Sequence, residues 1–286
     1  MHILQNEHLI IESKNSGAEL TRIFCKKQNK EILWSGDSKY WGRQSPILFP
    51  IVGKLKDNTT IIEDCTYTMG QHGFARDLDF ELIQVDNNSV SYRLVSSETT
   101  HSLYPYDFEL LIKYTLIDSE VRIDWNVVNK DSKEMYFSIG AHPAFNIDNS
   151  LSDYYLEFKS RDNISQITLN GPYSDKDFVL EKLNTLLLNP DLFANDALIY
   201  TNIDEITIKN NKDESFVNVN FTDFPLVGIW TPYYKDSNST APFLCIEPWY
   251  GLADSVDSDG QYKNKKYINT LDPSECFSVS YSISVG

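Results

Sequence analysis

Proton-transfer chemistry needs groups whose charge changes near neutral pH, and histidine is the side chain whose ordinary pKa lies there. The chain has 286 residues and five histidines. His2 and His8 lie in the N-terminal stretch and His101 follows Glu98-Thr99-Thr100, polar settings that suit solvated side chains. His72 and His142 differ: they stand in Gln71-His72-Gly73-Phe74-Ala75-Arg76-Asp77 and in Gly140-Ala141-His142-Pro143-Ala144-Phe145. Small neighbours there let another molecule approach the backbone, and Pro143 holds the residue before it extended. Taken alone, either histidine is equally consistent with a structural role. A third segment, Leu244-Cys245-Ile246-Glu247-Pro248-Trp249-Tyr250-Gly251-Leu252, places one carboxylate at the end of an apolar run. Burial there raises a carboxyl pKa, which suits Glu247 to a general base near neutral pH. Trp249 and Tyr250 either pack on the core rim or offer a sugar ring an apolar face beside an acceptor for its hydroxyls.

The elements that must position these segments read as strands. Val121, Ile123, Trp125 and Val127 alternate with Arg122, Asp124 and Asn126, the period of a strand with one face in a core. Phe108 to Ile117 meets that run at Asp118-Ser119, which predicts a hairpin. Phe80 to Val85 and Val90 to Val95 predict another, Ile203 to Ile208 and Phe216 to Phe221 read as strands, and Phe277 to Val285 alternates with serines. Helical apolar spacing is nowhere sustained over three turns, and Tyr173 to Asn195 is the stretch with room for a short helix or two. Short strands with turn chemistry between them predict an all-β protein, an antiparallel sandwich or barrel with few short helices. With no linker or composition shift, residues 1–286 are expected to fold as a single domain.

Composition narrows the function classes. The 25 Lys and Arg face 41 Asp and Glu, a net charge of −16, so a phosphate backbone meets repulsion and nucleic acid is a poor partner. No apolar run approaches the ~18 residues of a membrane helix, and the N-terminus lacks the pattern of a signal segment. A soluble, cytoplasmic protein is expected, and the sequons at Asn58, Asn163 and Asn238 read as accidents of composition. Cys25, Cys65, Cys245 and Cys276 are widely spaced, which suits four reduced, mostly buried thiols better than a disulfide frame or a zinc knot.

The three motifs, in this order and on a chain read as all-β, resemble the aldose 1-epimerase (galactose mutarotase) superfamily, and within it the LacX-type branch. The resemblance runs from Gly17-Ala18-Glu19-Leu20 to Leu271-Asp272-Pro273. It implies a large antiparallel β-sandwich with a sugar-binding cleft and no metal or organic cofactor. The implied reaction interconverts the α and β anomers of an aldose through the open-chain aldehyde. By resemblance Glu247 is the base that takes the C1-hydroxyl proton, His142 the acid that protonates the ring oxygen, and His72 a further substrate-binding histidine. Lys54, in Pro50-Ile51-Val52-Gly53-Lys54-Leu55, stands where the family has an arginine. It keeps the charge and loses the bidentate fork. Asp196 is the best match to the family's substrate-binding aspartate, and a plain surface role fits it as well. Arg43 and Arg76 resemble the arginines with which hexose-6-phosphate 1-epimerase relatives hold a phosphate. They are equally suited to tying down loops through backbone carbonyls or Asp77 and Asp79.

The implied partner is therefore a small-molecule hexose or hexose phosphate, bound by a monomer or homodimer. Three other readings compete with an anomer-interconverting isomerase. A sugar-binding or sensing protein would keep the cleft without turnover. A cupin-like metal site would use His72, His142 and Glu247, although the usual His-x-His start is missing. A glycosidase needs two carboxylates flanking a bond, and only Glu247 has a persuasive setting in the sequence.

Overall fold

The computed structural model describes residues 1–286, and every ladder between its strands is antiparallel. The longest hairpin pairs Phe108–Ile117 with Glu120–Asn129, and Asp118 takes a positive φ of 49° in its turn. Val121, Ile123, Trp125 and Val127 are buried and Arg122 is exposed, as the alternation requires.

One nine-stranded sheet runs Thr185–Leu187, Tyr154–Ser160, Ile203–Asn210, Ser215–Asn220, Cys276–Val285, Glu120–Asn129, Phe108–Ile117, Ser89–Val95, Glu81–Val85. The second runs Tyr173–Val179, Ser165–Asn170, Leu198–Thr201, Leu226–Trp230, Phe243–Tyr250, Ile139–Ala141, Ile47–Leu48, and Ala144–Asn146 also pairs with Phe243–Tyr250. A cluster of 63 buried apolar residues takes Ile112 and Trp125 from the first sheet and Ile229 and Ile246 from the second. The two therefore pack face to face as a sandwich. A smaller sheet of His2–Gln5, Leu9–Ser13, Leu20–Cys25 and Lys30–Glu31 adds Leu9, Ile11 and Ile23 to the same core.

Two expectations are corrected. The stretch 173–195 holds strands Tyr173–Val179 and Thr185–Leu187 and only a single 3-10 turn, Pro190–Phe193. Tyr173–Val179 is held by pairing with Ser165–Asn170, a nonlocal contact that a local pattern does not reveal. Of the four free cysteines, Cys25 and Cys245 are buried but Cys65 and Cys276 are exposed, since each of the latter opens a strand at its solvent end.

The strand Phe243–Tyr250 decides where chemistry is possible. Its period of two sends Leu244 and Ile246 into the shared core and turns Phe243, Cys245, Glu247 and Trp249 to the opposite face. Pro248 has no N–H to give a ladder. The partner on one side is itself interrupted between Gly140 and Ala144, the stretch that carries His142 and Pro143. The Trp249 indole lies across two neighbouring strands at glycines: a Cβ on Gly228 would fall 2.4 Å from its ring and one on Gly140 2.6 Å.

Gly228→Ala is thus expected to push Trp249 off the sheet. Overpacking of this kind costs about 1–3 kcal/mol. Thermal unfolding should show that loss together with a changed tryptophan emission, and an unchanged spectrum would contradict the packing.

Candidate active site

A cavity of about 470 Å³ opens on the face of the second sheet that is turned away from the core, and Glu247, His142, His72, Asp196, Arg43 and Arg76 all line it. Lys54 does not line it. The segment presents backbone there instead: Gly53 is the lining residue, with φ +72° and Ala253 packed where a Cβ would be 2.5 Å away. The Lys54 carbonyl accepts the Asp254 N–H at 2.9 Å.

Glu247 and His142 are in contact, Nε2 to Oε2 at 3.3 Å, with side chains only 2% and 8% exposed respectively. The break in the ladder at His142-Pro143 is what brings the imidazole against a carboxylate on the neighbouring strand. Trp41 stacks on the imidazole at 4.8 Å between centroids, and Trp230 meets it edge-on at 5.5 Å. Burial pushes His142 down to about 3, and Arg76 and Arg43 push the same way. Burial, and then the charge of Asp196, lift Glu247 well above the usual carboxylate range. The Trp249 indole pulls it back a little from a position just outside hydrogen-bond geometry. Both shifts favour the uncharged forms, a proton on Glu247 and none on the His142 imidazole. The His142 Nδ1 has no hydrogen-bond partner, so the contact with Glu247 governs where the imidazole carries its proton.

His72 is fixed differently. Its Nδ1 accepts the Gly53 N–H at 3.1 Å and its own backbone N–H donates to the Gly53 carbonyl at 2.8 Å. An accepting Nδ1 puts the ring proton on Nε2, which requires the Gln71 amide group, 3.3 Å away, to turn its oxygen toward the ring. Burial, then the charges of His142, Arg76 and Arg43, hold its pKa well below the ordinary value. His72 is therefore a neutral donor through Nε2. Its φ of +67° is uncommon for a residue with a side chain and is maintained by the Gly53 contacts. The backbone after Gly53 is held in turn by Asp254, whose N–H donates to the Lys54 carbonyl at 2.9 Å, whose Oδ2 accepts the Lys56 N–H at 2.8 Å and whose other oxygen pairs with Lys265. Both side chains of that pair are buried, 2% exposed each.

Arg43 donates to Asp77 Oδ1 at 2.6 Å and to the Arg76 carbonyl at 3.4 Å, while Arg76 donates to the Gln71 carbonyl at 2.6 Å. Both arginines thus tie down the loops around His72. Arg76 Nε is buried without a hydrogen-bond partner. Asp196 is exposed at the cleft, where the protein around it displaces enough water to raise its pKa against the Trp230 indole and the Ala197 N–H. It stands near enough to raise Glu247. The cleft therefore contains two carboxylates, where the sequence offered one persuasive setting.

Trp41 and Trp230 escaped the sequence reading. Trp41 stands two residues before Arg43, and its loop is anchored by buried Glu19, which accepts the Gln44 and Ser45 N–H groups at 2.8 and 3.0 Å. Trp230 ends the apolar strand Leu226–Trp230, a pattern that also describes an ordinary rim residue. The metal-ligating atoms that come together, within 4.8 Å of one another, belong to His142, Cys245 and Glu247. His72 is not among them, and its Nδ1 is taken by Gly53.

Comparison with known proteins points to one family. The family model for aldose 1-epimerase matches residues 2–268. Protein LacX (chromosomal) of Lactococcus lactis subsp. lactis is 32% identical over 300 residues, 99% of this chain and 98% of the relative. Among solved structures, a galactose mutarotase related enzyme from Lactobacillus acidophilus is 32% identical with a TM-score of 0.94, over 100% of this chain and 97% of its own. A galactose mutarotase-like protein from Lactobacillus casei ATCC 334 is 28% identical with a TM-score of 0.93, over the whole of both chains.

The raised pKa of Glu247 has a signature in stability. Below its ordinary value of 4.5 the carboxyl is protonated whether folded or unfolded. Above it the unfolded chain ionises while the folded one does not, so stability falls until pH passes the folded pKa. Glu247→Gln removes that loss. Its melting temperature relative to wild type is expected to climb with pH above 4.5 and then level off. A difference that ignores pH would mean an unperturbed carboxylate.

Proposed function

The chain belongs to the aldose 1-epimerase family, and from that premise we propose that it interconverts the α and β anomers of an aldose by acid–base ring opening. The observation that supports this best is the 3.3 Å contact between His142 and Glu247. In a cyclic aldose the hydroxyl that loses a proton and the ring oxygen that gains one are bonded to the same carbon, so acid and base must be neighbours. One proton in the pair is also the number required. In ring opening Glu247 takes the C1-hydroxyl proton while protonated His142 gives its own to the ring oxygen, and the C1–O5 bond breaks. The pair is left as a protonated Glu247 and a neutral His142. After C1 rotates, those two groups reverse roles and the ring closes on the other face. The state that burial favours in the empty site is thus the one that closes the ring, and transfer across the contact gives the one that opens it.

The remaining assignments follow. His72 donates through Nε2 to a ring or neighbouring hydroxyl oxygen, Asp196 accepts from a hydroxyl, and Trp249 underlies the apolar face of the sugar. An acid and a base suffice for this chemistry, each giving roughly 10²–10⁴-fold, and no cofactor is invoked. A free hexose is the first reading of the substrate because Asp77, the Gln71 carbonyl and the Arg76 carbonyl already engage the two arginines. A hexose 6-phosphate is the second, on the strength of the Arg76 Nε, which makes no hydrogen bond and meets Asp77 only at 3.8 Å.

Polarimetry or anomeric proton signals of freshly dissolved α-glucose, α-galactose and their 6-phosphates test the reading. We expect acceleration by wild type, a loss of roughly 10²–10⁴-fold in Glu247→Gln and in His142→Asn, and a rate that is flat through pH 6.5. An inflection near 6.5 would mean a solvated histidine in place of the buried one. Sugar binding without acceleration would favour a sensing protein, and release of sugar from a glycoside would assign Asp196 and Glu247 to hydrolysis.

A further inference from the structure

Cys245 is fully buried, faces the cleft side of its strand and has no part in the proton transfers above. It stands two residues before Glu247, so strand alternation puts thiol and carboxyl on the same face, and the interrupted neighbouring strand adds the His142 imidazole. One ligand atom from each lies within 4.8 Å of the others. We infer that His142, Cys245 and Glu247 form a binding site for a thiophilic divalent cation, Zn²⁺ first among them, and that its occupation switches off the acid–base pair.

The donor set and the spacing carry this. Zinc binds sulfur at ~2.3 Å and nitrogen or oxygen at ~2.0–2.2 Å, so tetrahedral ligands lie roughly 3.3–3.8 Å apart. The His142 to Glu247 contact of 3.3 Å already meets that spacing. The sulfur, on the same rigid strand as Glu247, has to close by no more than about an ångström. Bound as one thiolate, one imidazole and one carboxylate, with the Cys245 thiol proton and the Glu247 proton released to solvent, the set selects zinc over magnesium or calcium, which prefer all-oxygen sites. Three protein ligands leave a fourth position open, and the cavity that Glu247 and His142 line gives the ion its entry path. An ion there occupies the nitrogen and the oxygen that would exchange a proton with substrate. Binding itself stands on the geometry, whereas inhibition rests on the proposed epimerase reading.

The test uses the full chain carrying Cys65→Ser and Cys276→Ser, which removes the two exposed thiols. Titration with Zn²⁺ by calorimetry should give one ion per chain, and Co²⁺ should give a thiolate-to-cobalt charge-transfer band. Cys245→Ser should abolish the band and weaken zinc binding by more than the roughly 100-fold that an outer-shell change costs. Anomer interconversion should fall with the zinc occupancy and return with chelator, while Cys245→Ser keeps its basal rate and ignores zinc. Absence of stoichiometric binding, or a band that survives Cys245→Ser, overturns the site. Zinc binding with the band, in a protein that accelerates no anomer exchange, upholds the site and overturns the reaction assigned to the pair.

Discussion

An imidazole and a carboxyl pressed together away from water keep one proton between them, and the rest of this structure serves that constraint. Charging both groups costs desolvation on each side, and charging neither is what burial favours. The pKa values move apart in the sense that keeps the proton inside, His142 down and Glu247 up. Arg43 and Arg76 discourage a positive charge on His142, and Asp196 discourages a negative charge on Glu247. Both shifts run in the sense that favours one proton held by the pair, on the Glu247 side of the contact.

Holding that contact is the work of the second sheet and the loops at its edge. The strand Phe243–Tyr250 is fixed by core residues on one face, so the other face inherits its rigidity. Pro143 and Pro248 break the ladder where the two catalytic candidates meet, trading backbone pairing for side-chain contact. His72 is set by a longer chain of contacts, from the buried Lys265 and Asp254 through the Lys54 to Lys56 backbone to Gly53. The same alternation that makes Glu247 available also lines up Cys245 behind it, which is why a site built for protons has the donor set of a zinc site.

The β architecture was legible because period-two alternation is local: the Val121 to Val127 pattern is visible without knowing what covers it. The three motif residues were legible because each is a polar side chain in an apolar or glycine-flanked setting. What stayed hidden depends on distant segments. Lys54 carries a suitable charge, yet the packing of Ala253 on Gly53 decides that backbone faces the cleft. The strand Tyr173–Val179 is polar and alternates poorly, and its partner across the hairpin makes it a strand. Trp41 reaches His142 only because Glu19 anchors its loop. Asp196 became more than a surface residue once the cleft walls around it were in place.

The shared proton can be observed directly. Infrared difference spectra of wild type and Glu247→Gln at neutral pH, together with ¹⁵N shifts of His142, report the protonation of each group without any substrate. A carboxylic-acid carbonyl band that is missing in Glu247→Gln, and a His142 ring that stays neutral through pH 6.5, are expected. A carboxylate band on Glu247 with a His142 that titrates near 6.5 would contradict this, and would remove the basis for a one-proton pair.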